Sequence, residues 1–201
     1  IKAIQGPKGN PLETVRLFIQ LADKARKQGL LSLEEEEAKI NEEYMKKGIM
    51  LVVDGVDPEY VRKMLELDNH QMKERHSKGI SMFEAMGAYA PTMGILGAIM
   101  GLISALSHME DPSSLGHSIA VAFIASLYGV ATANLLWLPL GSRLRKDHEI
   151  EMLNRTIMLE GIIAVQAGDN PYIIRRKLET FLPPKMRKQL DQEFGGEGGS
   201  E

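Results

Sequence analysis

Cysteine is absent from the 201 residues, which excludes disulfides and any thiolate metal centre. The histidines His70, His76, His108, His117 and His148 form no HxH or HExxH grouping, so no helical metal-hydrolase motif is present. His108 and His117 flank a short polar connector and read as solvated or interfacial groups. The closely spaced glycines Gly94, Gly97 and Gly101 lack phosphate-loop spacing, and no strand-like run precedes them. Enzymatic chemistry is therefore not expected of this chain, nor is a cofactor or a nucleic-acid partner.

The most informative absence is charge. Ala85–Ser107 contains no Asp, Glu, Lys or Arg, and neither does Pro112–Ser142. Whole-chain figures of 44% hydrophobic and 25% charged residues resemble an ordinary soluble domain because they average over this segregation. Each run exceeds the ~20 helical residues that cross the ~30 Å hydrocarbon core of a bilayer. A buried hairpin in a soluble core is the alternative. Lys73, Arg75 and Lys78 precede the first run and Arg143, Arg145 and Lys146 follow the second, whereas "SHMEDPSSLGH" between them has no Lys or Arg. That asymmetry predicts two membrane spans with both outer ends cytoplasmic and the connector outside.

Small residues interrupt both runs. Gly87, Ala90, Gly94, Gly97, Gly101, Ser104 and Ala105 share one face of the first helix at 100° per residue. Ser118, Ala122, Ala125, Gly129 and Thr132 share a face of the second. Such ridges let backbones approach closely in lipid, where apolar burial contributes little to association, and Gly97 with Gly101 forms a GxxxG pair. Pro91 and Pro139 each remove a helical hydrogen bond, a break tolerated where it faces protein or a hydrated cavity.

The remainder reads as amphipathic helices. Asn10–Pro11, Asp57–Pro58, Asp111–Pro112 and Asn170–Pro171 each place a capping residue before proline at the first helical position. "LEEEEAKINEEYMKKGIMLVVDG" reads as one helix, with Ser32 as its cap and Glu35 completing a capping box. The helix following Pro58 is expected to run directly into the first span. The resulting expectation is an all-α membrane protein whose two transmembrane helices continue into a cytoplasmic helical domain. Its divisions are a cytoplasmic part at 1–80, spans at 81–107 and 115–142, a connector at 108–114, a helical tail at 143–190 and a disordered end at 191–201.

The stretches "ADKARKQGLLSLEEEE" and "APTMGILGAIMGLISALSHMEDPSSLGHSIAVAFIASLYGVATANLLWLPLGSRL" resemble the flagellar-stator branch of the MotA/TolQ/ExbB proton-channel family. Both prolines, the glycine spacing and the "SLYG…AN…P" order carry the resemblance, which extends over nearly the whole chain. It implies a bacterial cytoplasmic-membrane protein with two further membrane helices before Ile1, five copies surrounding two copies of a MotB-like partner. That partner supplies the membrane aspartate, because the charge-free runs here contain no carboxylate.

The resemblance also assigns positions. Pro91, Ala98, Ser126 and Pro139 would border the ion path and partner helix. Gly94, Gly97, Gly101, Ala122, Ala125 and Gly129 would pack helices. Arg26 and Glu34, the latter followed by three more glutamates, would meet the rotor protein FliG. Sodium-driven relatives place threonine hydroxyls where Ala98 and Ser126 stand, so a proton is the expected ion. An ExbB- or TolQ-like energiser and a non-conducting scaffold are the alternative functions.

Overall fold

In the computed structural model, residues 9–109 and 112–194 are described, and they divide into two compact units. One is a helical hairpin, Glu74–His148. The other comprises the described residues up to Lys73 together with those from Glu149 onward. Among the described residues all regular structure is helical.

The second unit is a helical body built on alternating caps and apolar faces. Helix α1 (Pro11–Gln28) starts where the Asn10 side chain accepts the Leu12 amide, and it ends at Gly29, whose φ of 84° reverses the chain. A 3₁₀ turn (Leu30–Leu33), α2 (Glu34–Glu37) and α3 (Glu43–Val53) follow. The expected single helix across this stretch is broken. The Lys39 and Ile40 amides bond back to the Glu36 and Glu37 carbonyls, and Ile40 turns inward to the core. Ser32 is not a helix cap either: its hydroxyl donates to the Gly29 carbonyl, inside the turn that closes α1.

Helix α4 (Pro58–Ser107) is continuous, as expected from its uninterrupted periodicity. Its start is capped by Asp57, which accepts the Glu59 amide at 2.9 Å. The Asp111 cap lies outside the described residues. Helix α5 (Pro112–Thr132) resumes before the expected end of the connector, and a π-helical turn at Ala133–Trp137 joins it to α6 (Leu138–Gln166). Pro139 follows this turn. The wider π repeat accommodates a residue that cannot donate to the helical ladder and would crowd the preceding turn.

Asn170 caps α7 (Pro171–Glu179) by accepting the Tyr172 amide. Helix α8 (Pro184–Phe194) extends beyond the expected start of a disordered end at 191, because Leu190 is fully buried and Arg175 reaches both Asp191 and the Phe194 carbonyl. Residues 195–201 lie outside the description.

Large side chains fill the body. Val15, Phe18, Leu33, Ile49, Val61, Leu65, Ile157, Ile162, Ile174 and Leu178 are completely buried. Each such side chain contributes about 1.5–3 kcal/mol relative to exposure. Helix α6 crosses α1 where Gly161 faces Phe18: a Cβ at Gly161 would stand 2.5 Å from the ring. A polar node is also enclosed. The Tyr44 hydroxyl accepts from Asn69 Nδ2 at 2.9 Å and donates to the Leu65 carbonyl at 3.3 Å, while the Arg155 guanidinium lies 4.6 Å above the ring. Burial raises the Tyr44 phenol well above its ordinary pKa, so it stays a neutral donor.

The candidate channel hairpin and its family

In the hairpin, the two small-residue ridges face each other. A Cβ on Gly94 would lie 2.9 Å from the Ala125 carbonyl oxygen and 3.0 Å from Gly129 Cα. One on Gly129 would lie 2.7 Å from the Ala90 carbonyl oxygen and 2.8 Å from Gly94 Cα. Further along, Gly97 faces the Ala125 methyl and Gly101 faces the Ala122 methyl, at 3.0 and 2.8 Å by the same measure. Backbone therefore rests on backbone at the crossing of α4 and α5, the close approach that glycine permits. The helix-packing residues Gly94, Gly97, Gly101, Ala122, Ala125 and Gly129 form one contact within this chain. Within this stretch the two ridges pack against each other.

Leu138 fills the space opposite Gly87, its side chain 2.4 Å from a Cβ built there. This register sets Pro91 and Pro139 a little over one turn apart in height. Pro91 is half-buried and Pro139 exposed. Ala98 and Ser126 are both half-buried, and the Ser126 backbone borders Gly94, whose built Cβ would be 3.3 Å from Ser126 Cα. The Ser126 hydroxyl has no hydrogen-bond partner among the described residues. By contrast, Thr132 bonds back to the Tyr128 and Gly129 carbonyls and Asn134 to the Val130 carbonyl. The exposed apolar side chains include Ile95, Leu96, Met100, Ile103, Phe123, Leu127 and Leu135. Helix α4 and the segment Leu115–Gln166 are each long and apolar enough to cross a membrane.

Polar contacts gather at one end of the hairpin. Glu84, the last charge before the apolar run, pairs with Arg145. Phe83 and Trp137 approach with ring centroids 6.5 Å apart, and Gly141 lies beside Phe83 and Glu84, where a built Cβ would be in ordinary contact at 3.5 Å. His76 and His148 meet through their Nδ1 atoms at 3.1 Å. These pairings join residues distant in sequence, and periodicity alone gave no sign of them.

The body presents the other candidate residues. Arg26 lies exposed in the last turn of α1, and Glu34 lies exposed at the start of α2. Three of the four consecutive glutamates are engaged. Lys24 bonds Glu35 at 3.1 Å and Glu36 at 2.8 Å, Lys39 also holds Glu36, and Lys46 pairs with Glu37 at 3.1 Å. The hydrogen bond from Lys24 leads the lowering of the Glu36 pKa, and the same bond raises that of Lys24. Glu34 alone of the four has no ion partner among the described residues.

The fold and this glycine-packed hairpin define a helical membrane protein with an attached charged helical body. Residues 36–157 match the model of the MotA/TolQ/ExbB proton channel family, and the chain belongs to that family. It is 45% identical to the motility protein A of Borreliella burgdorferi, over 91% of this chain and 70% of that protein. It is 39% identical to the chemotaxis protein PomA of Vibrio alginolyticus, over 90% of this chain and 71% of the relative. The solved flagellar MotAB stator complex of Bacillus subtilis contains a similarly folded chain, with a TM-score of 0.87, 36% identity, and coverage of 94% of this chain and 74% of that one.

Proposed function

We infer that the chain is a subunit of a flagellar motor stator, acting with a MotB-like partner to convert ion flow into rotation. The extended likeness to a chain of a solved MotAB stator, hairpin and body together, carries this reading. The charge-free spans contribute no carboxylate, so the ion-binding aspartate belongs to the partner helix. Neutralising that aspartate removes much of its desolvation penalty, so ion entry and exit change which packing against the surrounding copies is favoured. Moving one charge down the potential supplies about 2.3 kcal/mol per 100 mV, enough to bias such a step.

The transported ion in this reading is a proton. Sodium requires several oxygen ligands, and Ala98 offers a methyl group where sodium-driven relatives supply a hydroxyl. Ser126 supports a place on the path, because its hydroxyl does not bond back to its own helix. Pro91 and Pro139 loosen the backbone beside that path. The body is cytoplasmic, and Arg26 and Glu34 meet the rotor protein FliG through exposed charge.

Swimming speed in cells relying on this stator provides the test. Rotation abolished by a protonophore and insensitive to external sodium is expected; sodium-dependent rotation that survives the protonophore would overturn the ion assignment. Pro91→Leu should leave membrane insertion and assembly intact while stopping torque. Full motility would reduce Pro91 to a simple kink. Capture of a TonB-like protein instead of FliG would transfer the chain to the outer-membrane energisers of its family.

A further inference from the structure

His76 on α4 and His148 on α6 place their Nδ1 atoms 3.1 Å apart, with ring planes crossing at 84°. Both rings are half-buried, and they stand beyond the Glu84–Arg145 pair at the charged end of the hairpin. Two imidazole nitrogens bound to one first-row cation, each about 2.0–2.1 Å from it and subtending about 90–110°, stand about 2.9–3.4 Å apart. The observed separation lies in that range, so a cation could insert with little movement of either helix.

We propose that His76 and His148 form a two-histidine site for a borderline transition cation such as Zn²⁺ or Cu²⁺, bridging α4 and α6. Imidazole suits these metals and not Mg²⁺ or Ca²⁺, which require oxygen ligands. No cluster of three or more His, Cys, Asp or Glu occurs among the described residues, so among these the two imidazoles are the ligands the site offers. The surroundings are mixed in charge. Lys73 precedes His76 by one turn, whereas Arg145 is already paired with Glu84 and Asp147 stands beside His148 in sequence. Asp147 Oδ2 is buried without a hydrogen-bond partner. The bound metal would staple the two helices together where the hairpin leaves its apolar stretch.

The chain, assembled with its partner and purified in nanodiscs, is titrated with Zn²⁺ and separately with Cu²⁺. Saturable uptake of one cation per copy is expected, together with a Cu²⁺ paramagnetic resonance spectrum split by two imidazole nitrogens. Either His76→Gln or His148→Gln should weaken binding at least tenfold and remove the two-nitrogen pattern, while His70→Gln should change neither. Absence of saturable binding to the native complex, or a native spectrum without two coupled nitrogens, would overturn the site. So would affinity retained in both single variants. The native-complex measurements decide the matter even if a variant fails to assemble.

Discussion

The two units solve helix packing in opposite ways, although α4 contributes to both. In the body, α4 buries Val61 and Leu65 in a cluster of large apolar side chains and pairs its Arg62 with Glu160 and its Asp68 with Arg155. Between Ser81 and Ser142, every residue described as buried is Gly or Ala: Gly87, Gly94, Ala105, Ala122, Ala133 and Gly141. Their large neighbours are exposed, Phe123 at 73% and Leu135 at 75%. Water drives large apolar groups inward, whereas lipid solvates them, so in lipid contact between helices favours residues that allow backbones to meet. The same helical geometry has thus been filled by reciprocal rules on either side of a charge boundary.

The sharpest way to break this contrast is to put a large side chain into the hairpin crossing. Gly94→Leu or Gly129→Leu would push against backbone atoms that a Cβ alone already meets at 2.7–3.0 Å. Neither helix backbone can rotate away as a side chain can. The expected cost is about 3 kcal/mol or more, read as loss of assembled complex in detergent and of motility. Gly116→Leu, at a position with open space around its built Cβ, should assemble normally. Equal losses from Gly94→Leu and Gly116→Leu would show that apolar bulk, and not backbone approach, governs the hairpin.

A smaller insertion examines the body. Gly161→Ala would direct a methyl group into the Phe18 ring, where the built Cβ stands 2.5–2.7 Å from three ring atoms. Because Phe18 has other side chains around it and α6 can shift slightly, the cost should be about 1–3 kcal/mol. Denaturant unfolding followed by the signal of this unit measures it. Adding Phe18→Leu should recover part of the loss, since two changes in direct contact do not add. Strict additivity would mean that the two residues do not share this space.

Glu160 provides a test of charge within the body. Its carboxylate accepts from Arg62 at 2.8 Å and pairs with Lys177 at 2.6 Å, and the Arg62 hydrogen bond is the leading cause holding its pKa below the ordinary value of 4.5. The folded state therefore favours the ionised form. The resulting stability is fully present above the unfolded pKa of about 4.3 and fades as pH falls through the lower folded value. Glu160→Gln should cost about 1–2 kcal/mol at pH 7, because it weakens two charged contacts and leaves Arg62 partly uncompensated. The difference from the native chain should shrink as pH falls through the acid range. A cost independent of pH would assign the role of Glu160 to packing.

How far these features were legible depends on whether their cause was local. The charge-free runs, the caps at Asn10, Asp57 and Asn170, and the small-residue faces each follow from residues near one another in sequence, and each is present in the structure. What lay beyond reach depended on pairing between elements. The facing of Gly94 and Gly129, the His76–His148 contact and the Glu84–Arg145 pair all require the hairpin register. The break between α2 and α3 has a related cause. Periodicity continued through "AKINEE", but burial of Ile40 and the ion pairs of Lys39 and Lys46 favoured a turn there. Likewise Pro139 announced a disturbed helix, while the π-helical form of the disturbance emerged only from the backbone.

The last comparison is within the acidic run itself, between glutamates that hold the body together and one that does not. Glu35, Glu36 and Glu37 already have lysine partners in the folded chain, so their removal should disturb the α2 region whether or not a rotor is present. Glu34 and Arg26 are exposed and have no ion partner among the described residues. Reversing either should change folding stability by no more than about 0.5 kcal/mol. Torque should nevertheless fall, since the proposed rotor contact depends on the sign of these two charges. Arg26→Glu paired with an acidic-to-basic reversal on FliG should restore swimming, and raised salt should weaken the native contact in a binding assay between isolated proteins. Failure of every compensating reversal, with the variant complex still fully assembled, would return Arg26 and Glu34 to the solvated surface. Loss of torque from Glu36→Gln alone, without loss of stability, would move the contact further along the run.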